Sequence, residues 1–199
     1  ALELGQALHR LGVRVRLFGR SLRTGPITDP GVLQSAEKVF SSEFPFTAPV
    51  KVENVEPDEN GVRVLYRNNE DSGVEEEVFE QVLAATGRDP NLTELNLEQT
   101  SLKLDSRGIP VYNPLTMQCG NSPVFIAGDV NNTLTVLHEA ADEGRIAGDN
   151  AGRFPDVREG RRSSPMTIVF TDPQMAVVGK TWNDLQDRDY VMGSVSFEG

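Results

Sequence analysis

The apolar run Val124 to Ala127 delivers a glycine and then an acid, Gly128 and Asp129, and much of the chain's potential chemistry gathers there. A buried strand ending in this way puts the carboxylate at the carboxyl end of a sheet, the side on which α/β folds hold ligands. A carboxylate is acceptor-only and makes short, strong bonds to hydroxyl groups. The same dipeptide also closes ordinary turns. A few residues on, "LHEAADEG" opens a helix at Leu137, whose N-terminal N–H groups favour negative charge. Cys119 is the only cysteine, so no internal disulfide and no dithiol pair can form from this chain. Two histidines, His9 and His138, make no zinc-like cluster.

These residues need elements to position them. The chain opens on "ALELGQALHRLGVRVRLF". Leu2, Leu4, Ala7, Leu8 and Leu11 recur near helical spacing, Gly12 suits a left-handed helix end, and Val13 to Phe18 alternates as a strand does. Helix, glycine turn and strand form the second half of a βαβ unit, so the first half is expected to lie before Ala1. Asp29 and Pro30 read as the cap and first residue of a second helix. "PVKVENVEP", "GVRVLYRNN" and "GVEEEVFEQ" predict an antiparallel meander, with Asn60 and Gly61 in its first hairpin.

"QVLAATG" and "PVFIAGD" are continuously apolar and predict strands of a parallel sheet buried on both faces. Between them lie short extended pieces with a turn at Ser106 to Gly108. A helix follows from Leu137 to about Ala151. The polar, basic stretch "FPDVREGRRSSP" reads as a linker. Beyond it, "MTIVFTDPQMAVVGKTWNDL" gives a strand, a turn at Pro173, a second strand and a helix start, and the chain ends at Gly199 in a strand-like pattern.

Composition narrows the classes. A length of 199 residues with 38% hydrophobic content supports a real core. No apolar run reaches the roughly 18 residues of a membrane span, and the start carries no secretory pattern. The expectation is a cytoplasmic protein that does not engage a membrane. A net charge of -11, with one local acidic run at Glu75 to Glu77, also speaks against nucleic acid as a partner, because neutralising phosphates takes clustered Lys and Arg.

Three stretches in order, "ALELGQALHRLGVRV", "VLAATGRDPN" and "VFIAGDVNNTLTVLHEAADEG", resemble the class I FAD-dependent pyridine nucleotide-disulfide oxidoreductases. This is the family of dihydrolipoamide dehydrogenase, glutathione reductase and mercuric reductase. A fourth stretch, "VFTDPQMAVVG", is similar to the opening of its dimerisation domain. The resemblance implies an α/β fold: a Rossmann-like FAD/NAD(P)-binding domain remnant with an antiparallel β-meander, a central FAD-contacting segment and the start of an α+β dimerisation domain. The implied boundaries are 1–88 for the NAD(P)-binding domain lacking its first strand, 89–155 for the central segment and 156–199 for the dimerisation domain.

The same resemblance assigns residues. Ala1 falls on the last position of the Gly-x-Gly-x-x-Gly/Ala fingerprint, whose two earlier glycines bring backbone N–H groups to the pyrophosphate. Glu3 occupies the position that pairs in the family with a lysine near the flavin; taken alone it is a favourable first-turn acid. Gly19 stands where an acid usually holds the ribose hydroxyls of NAD. Arg20 and Arg23 follow it, and guanidinium groups suit the 2'-phosphate of NADP as well as they suit a solvated loop, so the choice of NAD or NADP stays open. Gly87 permits a tight exit from its strand. Gly128 and Asp129 would meet the ribityl hydroxyls of FAD, while the helix starting at Leu137 and His138 would face the flavin pyrimidine.

The implied parent reaction is hydride transfer between NAD(P)H and FAD coupled to a redox disulfide, of the dihydrolipoamide dehydrogenase type. Glutathione reductase, mercuric reductase and transhydrogenase-like activities are its relatives, and a non-redox nucleotide-binding or interaction module is the reading from another class. The family's cysteine pair and His-Glu pair have no counterpart here, so the chain is expected to be a fragment, inactive by itself. Implied partners are a second copy in a homodimer and a 2-oxo acid dehydrogenase complex, with self-association through exposed sheet edges.

Overall fold

The computed structural model describes residues 1–21, 27–69, 71–185 and 189–195. They fall into two compact units, Ala1–Ala85 with Met166–Gly199, and Thr86–Pro165.

In the first unit, helix α1 spans Leu2–Arg10. Its last turn closes through the Leu11 and Gly12 N–H groups, which donate to Ala7 and His9, and Gly12 takes the left-handed φ of 92° expected of it. Strand β1 is only Leu17–Phe18, paired in parallel with β2, Phe46–Thr47. The alternation from Val13 therefore yields two paired residues, because no described strand lies beside its first part. Between them, α2 spans Pro30–Glu43 and is capped by Asp29, whose carboxylate accepts from the Val32 N–H at 2.9 Å. Phe40 and Ala36 on its inner face pack with Ile27 and Met175.

The meander forms as read: β3 (Lys51–Asp58), β4 (Gly61–Arg67) and β5 (Glu75–Phe79) pair antiparallel in that order. Asp58 faces Gly61 across the hairpin, and a Cβ on Gly61 would sit 2.2 Å from the Phe79 carbonyl oxygen, so only glycine fits. Central β4 buries Val64 and Tyr66 against Val50, Phe18 and Phe79. Further on, β6 (Met166–Val169) and β7 (Met175–Val178) form an antiparallel pair around the Pro173 turn. A short 3-10 turn at Trp182–Leu185 stands where a helix start was expected, and residues 196–199 of the terminal strand pattern lie outside the described residues.

The second unit is built on extended pieces and one long helix. Isolated antiparallel bridges join Leu104 to Pro110, Tyr112 to Cys119 and Gln118 to Phe125. The turn at Ser106 to Gly108 is held by Asp105, which accepts from the Arg107 and Ile109 N–H groups. Helix α3 spans Leu137–Arg153 and lays Ile146 and Ala147 against Met117.

Three expectations need correction. "QVLAATG" is not a buried parallel strand: Leu83 is 62% exposed and the run pairs with no described strand, so its apolar side chains stay largely exposed among the described residues. "PVFIAGD" does bury Ile126, but its pairing is the single antiparallel bridge to Gln118, and Gly128–Asn131 is a 3-10 turn. The supposed linker is held along α3. Asn150, buried in the helix, donates to the Arg158 and Thr116 carbonyl oxygens and accepts from the Arg158 N–H, and the Gly160 N–H donates to the Leu115 carbonyl at 2.8 Å. A polar segment rich in donors finds acceptors on a helix as readily as in water.

Candidate functional site

Gly128 is buried at φ 78°, and a Cβ there would meet the Ala140 Cβ at 3.3 Å, so the turn lies directly on the first turns of α3. Its N–H donates to Glu143 Oε2 at 2.7 Å, and the Asn131 side-chain amide donates to the same oxygen at 2.6 Å. Asn131 in turn accepts from the Thr133 N–H. Asp129 stands exposed on this turn, with its carbonyl taken by the Asn132 N–H. The backbone is thus fastened from below while the carboxylate faces outward.

Helix α3 begins beside it with no side-chain cap, and Leu137 at its first position is 87% exposed. The first N–H groups of any helix lack intrahelical acceptors, so this end offers donors and a positive dipole end. His138 is exposed on the same turn. Gly128 therefore lies against the first turns of α3, with Asp129 next to it in the chain and Leu137 and His138 opening the helix.

Sequence reading missed what lies beneath them. Glu139 and Glu143 are 3% and 1% exposed, and Arg162 Nη2 donates to Glu139 Oε2 at 2.6 Å and to Glu143 Oε1 at 2.9 Å. Burial opposes the charge of the guanidinium, but the bond to Glu139 and the field of both carboxylates outweigh it and push its pKa up. Positions 139, 143, 146, 147 and 150 share one helical face, a periodicity the sequence displays, but only the structure shows that this face is buried and so that its acids demand partners.

Nearby, Asp142 Oδ2 accepts from the Ser163 N–H at 2.8 Å, and this bond above all holds its carboxyl below the usual range, with Arg145 assisting. A carboxylate with a lowered folded pKa stabilises above its unfolded value of about 3.9 and loses that contribution as pH falls through the folded value. Protection of the Ser163 amide from hydrogen exchange should hold from pH 7 to pH 5 and fall away below about pH 4; protection that stays unchanged well below pH 4 would contradict the assignment.

In the first unit, Ala1 is the exposed residue before α1, and its carbonyl accepts from the Gly5 N–H. Glu3 accepts from the Phe170 N–H at 2.6 Å, tying α1 to the β6–β7 turn. Gln6, buried, donates to Glu43 and to the Asp172 carbonyl and accepts from the Asp172 N–H. Gly19 uses both backbone groups, to the Thr47 carbonyl and from the Val50 N–H, and a Cβ would press on Ala48 Cβ at 3.1 Å and Phe46 at 3.2 Å. An acid at this position would need those neighbours to move. Arg20 follows, exposed; Arg23 lies outside the described residues. Gly87, at the start of the second unit, has φ 115° and is exposed.

The model of the family described as pyridine nucleotide-disulphide oxidoreductase matches residues 1–144. The chain belongs to that family. Among its relatives, the mercuric reductase of Staphylococcus aureus is 31% identical over 191 residues, spanning 96% of this chain and 34% of that protein. The dihydrolipoyl dehydrogenase of Thermus scotoductus is 30% identical over 190 residues, spanning 95% and 40%. The crystal structure of LpdA from Mycobacterium tuberculosis superposes with a TM-score of 0.76 at 24% identity, covering 92% of this chain and 39% of that one. The HOCl-induced flavoprotein disulfide reductase RclA of Escherichia coli gives 0.74 at 20%, covering 92% and 40%. The fold is thus that of the FAD/NAD-binding disulfide oxidoreductases, and the chain spans well under half the length of these relatives.

The pyridine nucleotide-disulphide oxidoreductases use FAD and NAD(P)H. The residues present fit part of a flavin site: an outward carboxylate on a buried glycine turn, beside a helix start that no side chain caps. Among the described residues no group of three or more His, Cys, Asp or Glu is placed to hold a metal ion, and no helix is long and apolar enough to cross a membrane.

Proposed function

We propose that this chain is part of an enzyme of the dihydrolipoyl dehydrogenase or mercuric reductase type, in which hydride passes between NAD(P)H and FAD in step with a redox disulfide. The observation that carries the reading is the packing of the Gly128 turn on Ala140 in the first turns of α3, with Asp129 exposed next to it. FAD, when bound, supplies the two-electron chemistry between nicotinamide and disulfide. Asp129 accepts hydrogen bonds from ribityl hydroxyls, and the first-turn N–H groups from Leu137 and His138 stabilise negative charge beside them. Gly128 lets the backbone lie close enough to α3 for both to face one ligand.

Ala1, Glu3, Gly19, Arg20, Arg23 and Gly87 belong in this reading to the nicotinamide nucleotide, with Arg20 favouring the 2'-phosphate of NADPH because Gly19 leaves no acid to oppose it. The domains are 1–88, 89–155 and 156–199. Cys119 takes no part in electron transfer: it is buried, burial pushes its thiol pKa up, and one thiol makes no dithiol. The dithiol and its acid–base partner belong to the parent enzyme outside this chain. Homodimerisation through 156–199, docking on a 2-oxo acid dehydrogenase complex, self-association through exposed sheet edges and a cytoplasmic setting complete the proposal.

Titration of the 199-residue chain with FAD, NADPH and NADH, followed by flavin and protein fluorescence, tests it. Saturable FAD quenching is expected, and Arg20→Ala should weaken NADPH by about fivefold while leaving NADH unchanged, as for one exposed ion pair. Absence of saturable binding by all three nucleotides would overturn the reading for this chain.

A further inference from the structure

We infer that Arg162 is a positioning residue of the flavin site, an assignment that rests on the function proposed above: by bridging Glu139 and Glu143 it keeps Glu143 aimed at the Gly128 amide and so sets the turn that carries Asp129. The two oxygens of Glu143 divide their work. Oε2 receives the Gly128 N–H and the Asn131 amide, and Oε1 receives Arg162. Glu139 sits one helical turn earlier on the same buried face, so two like charges are confined together out of water.

Such a pair needs a cation, and among the described residues Arg162 is the one in ion-pair contact with either carboxylate. Without it, the two carboxylates would repel one another and one would turn towards solvent. A displaced Glu143 would lose its charge-assisted bond to the Gly128 amide.

The arginine is delivered ready for this task. Its own segment is tied down on both sides, by Gly160 to the Leu115 carbonyl and by Ser163 to Asp142. Glu139, its other partner, lies in the first turn of α3, directly after Leu137 and His138. Arg162 therefore acts on Asp129 through Glu143, and on the helix start through Glu139, without touching the ligand.

The test uses Arg162→Met and Arg162→Lys in the 199-residue chain, with residue-resolved hydrogen exchange of the ligand-free protein and FAD titration as separate readouts. Arg162→Met is expected to speed exchange of the Gly128 amide by about tenfold or more and to raise the FAD Kd by about tenfold, as for loss of a charge-assisted bond, while the Ile109 and Cys119 amides keep their protection. Arg162→Lys should restore most of both effects, because the charge is what Glu143 requires. Unchanged Gly128 exchange in Arg162→Met overturns the inference, and so does an equal rise in exchange across the whole second unit. Should Arg162→Met fail to fold, Arg162→Gln, which keeps one donor, is read by the same criteria. If the unsubstituted chain binds no FAD, the functional reading fails, and Gly128 exchange alone then decides whether Arg162 holds the turn.

Discussion

Glu143→Ala should cost the second unit about 3–5 kcal/mol, the range for removing one partner from a buried charged network. The side chain is 1% exposed and accepts three donors at once: the Gly128 N–H, the Asn131 amide and Arg162. Alanine leaves the Gly128 N–H and the Asn131 amide facing a cavity with no acceptor and leaves Arg162 with Glu139 alone, and each buried unpaired donor is worth about 1–3 kcal/mol by itself. Gly128 cannot relax by moving inward, because its backbone already lies against Ala140. Urea unfolding followed by far-UV circular dichroism measures this. A midpoint within error of the parent chain, at unchanged slope, would mean that water replaces the carboxylate without loss. Glu143→Gln should fall between, since its carbonyl still accepts from Gly128 but offers no charge to Arg162.

For Asp129 the expectation is opposite in kind, a large loss of affinity with little loss of stability. The residue is exposed on a turn whose fastening comes from Glu143 and Asn131. If ribityl hydroxyls are its partners, Asp129→Ala should weaken FAD by about 10- to 100-fold, the equivalent of one or two bonds to a charged acceptor. Asp129→Asn keeps the shape and one acceptor, so it should recover part of that loss. Calorimetric titration with FAD beside thermal melts separates the two variants. Equal FAD affinity in Asp129→Ala and the parent chain would remove this residue from the site; a melting temperature that falls as far as in Glu143→Ala would recast it as structural.

The two cases show what a sequence can and cannot display. Asp129 was legible because its signal is local: an apolar run, a glycine, an acid and a helix at fixed spacing. The cap at Asp29, the Gly12 turn, the Asn60-Gly61 hairpin and the antiparallel meander were legible for the same reason, since turn chemistry and alternation are set within a few residues. Glu143 was not, although its helix was. Nothing in "LHEAADEG" says that its second glutamate points inward at a glycine 15 residues earlier.

Long-range pairing explains the errors as well. "QVLAATG" has the composition of a doubly buried strand, but burial depends on neighbours on both sides, and no described strand pairs with it. "FPDVREGRRSSP" has the composition of a linker, yet its donors meet Asn150, Glu139, Glu143 and Asp142 along one helix. By itself, then, the sequence determined the family, the local elements and the candidates at Gly128, Asp129, Leu137 and His138, because these rest on short-range backbone preferences and motif spacing. Only the tertiary structure decided which groups hold them. Hydrogen bonds and ion pairs between segments tens of residues apart are chosen by where the packed chain places a donor beside a buried acceptor, and composition carries no record of that distance.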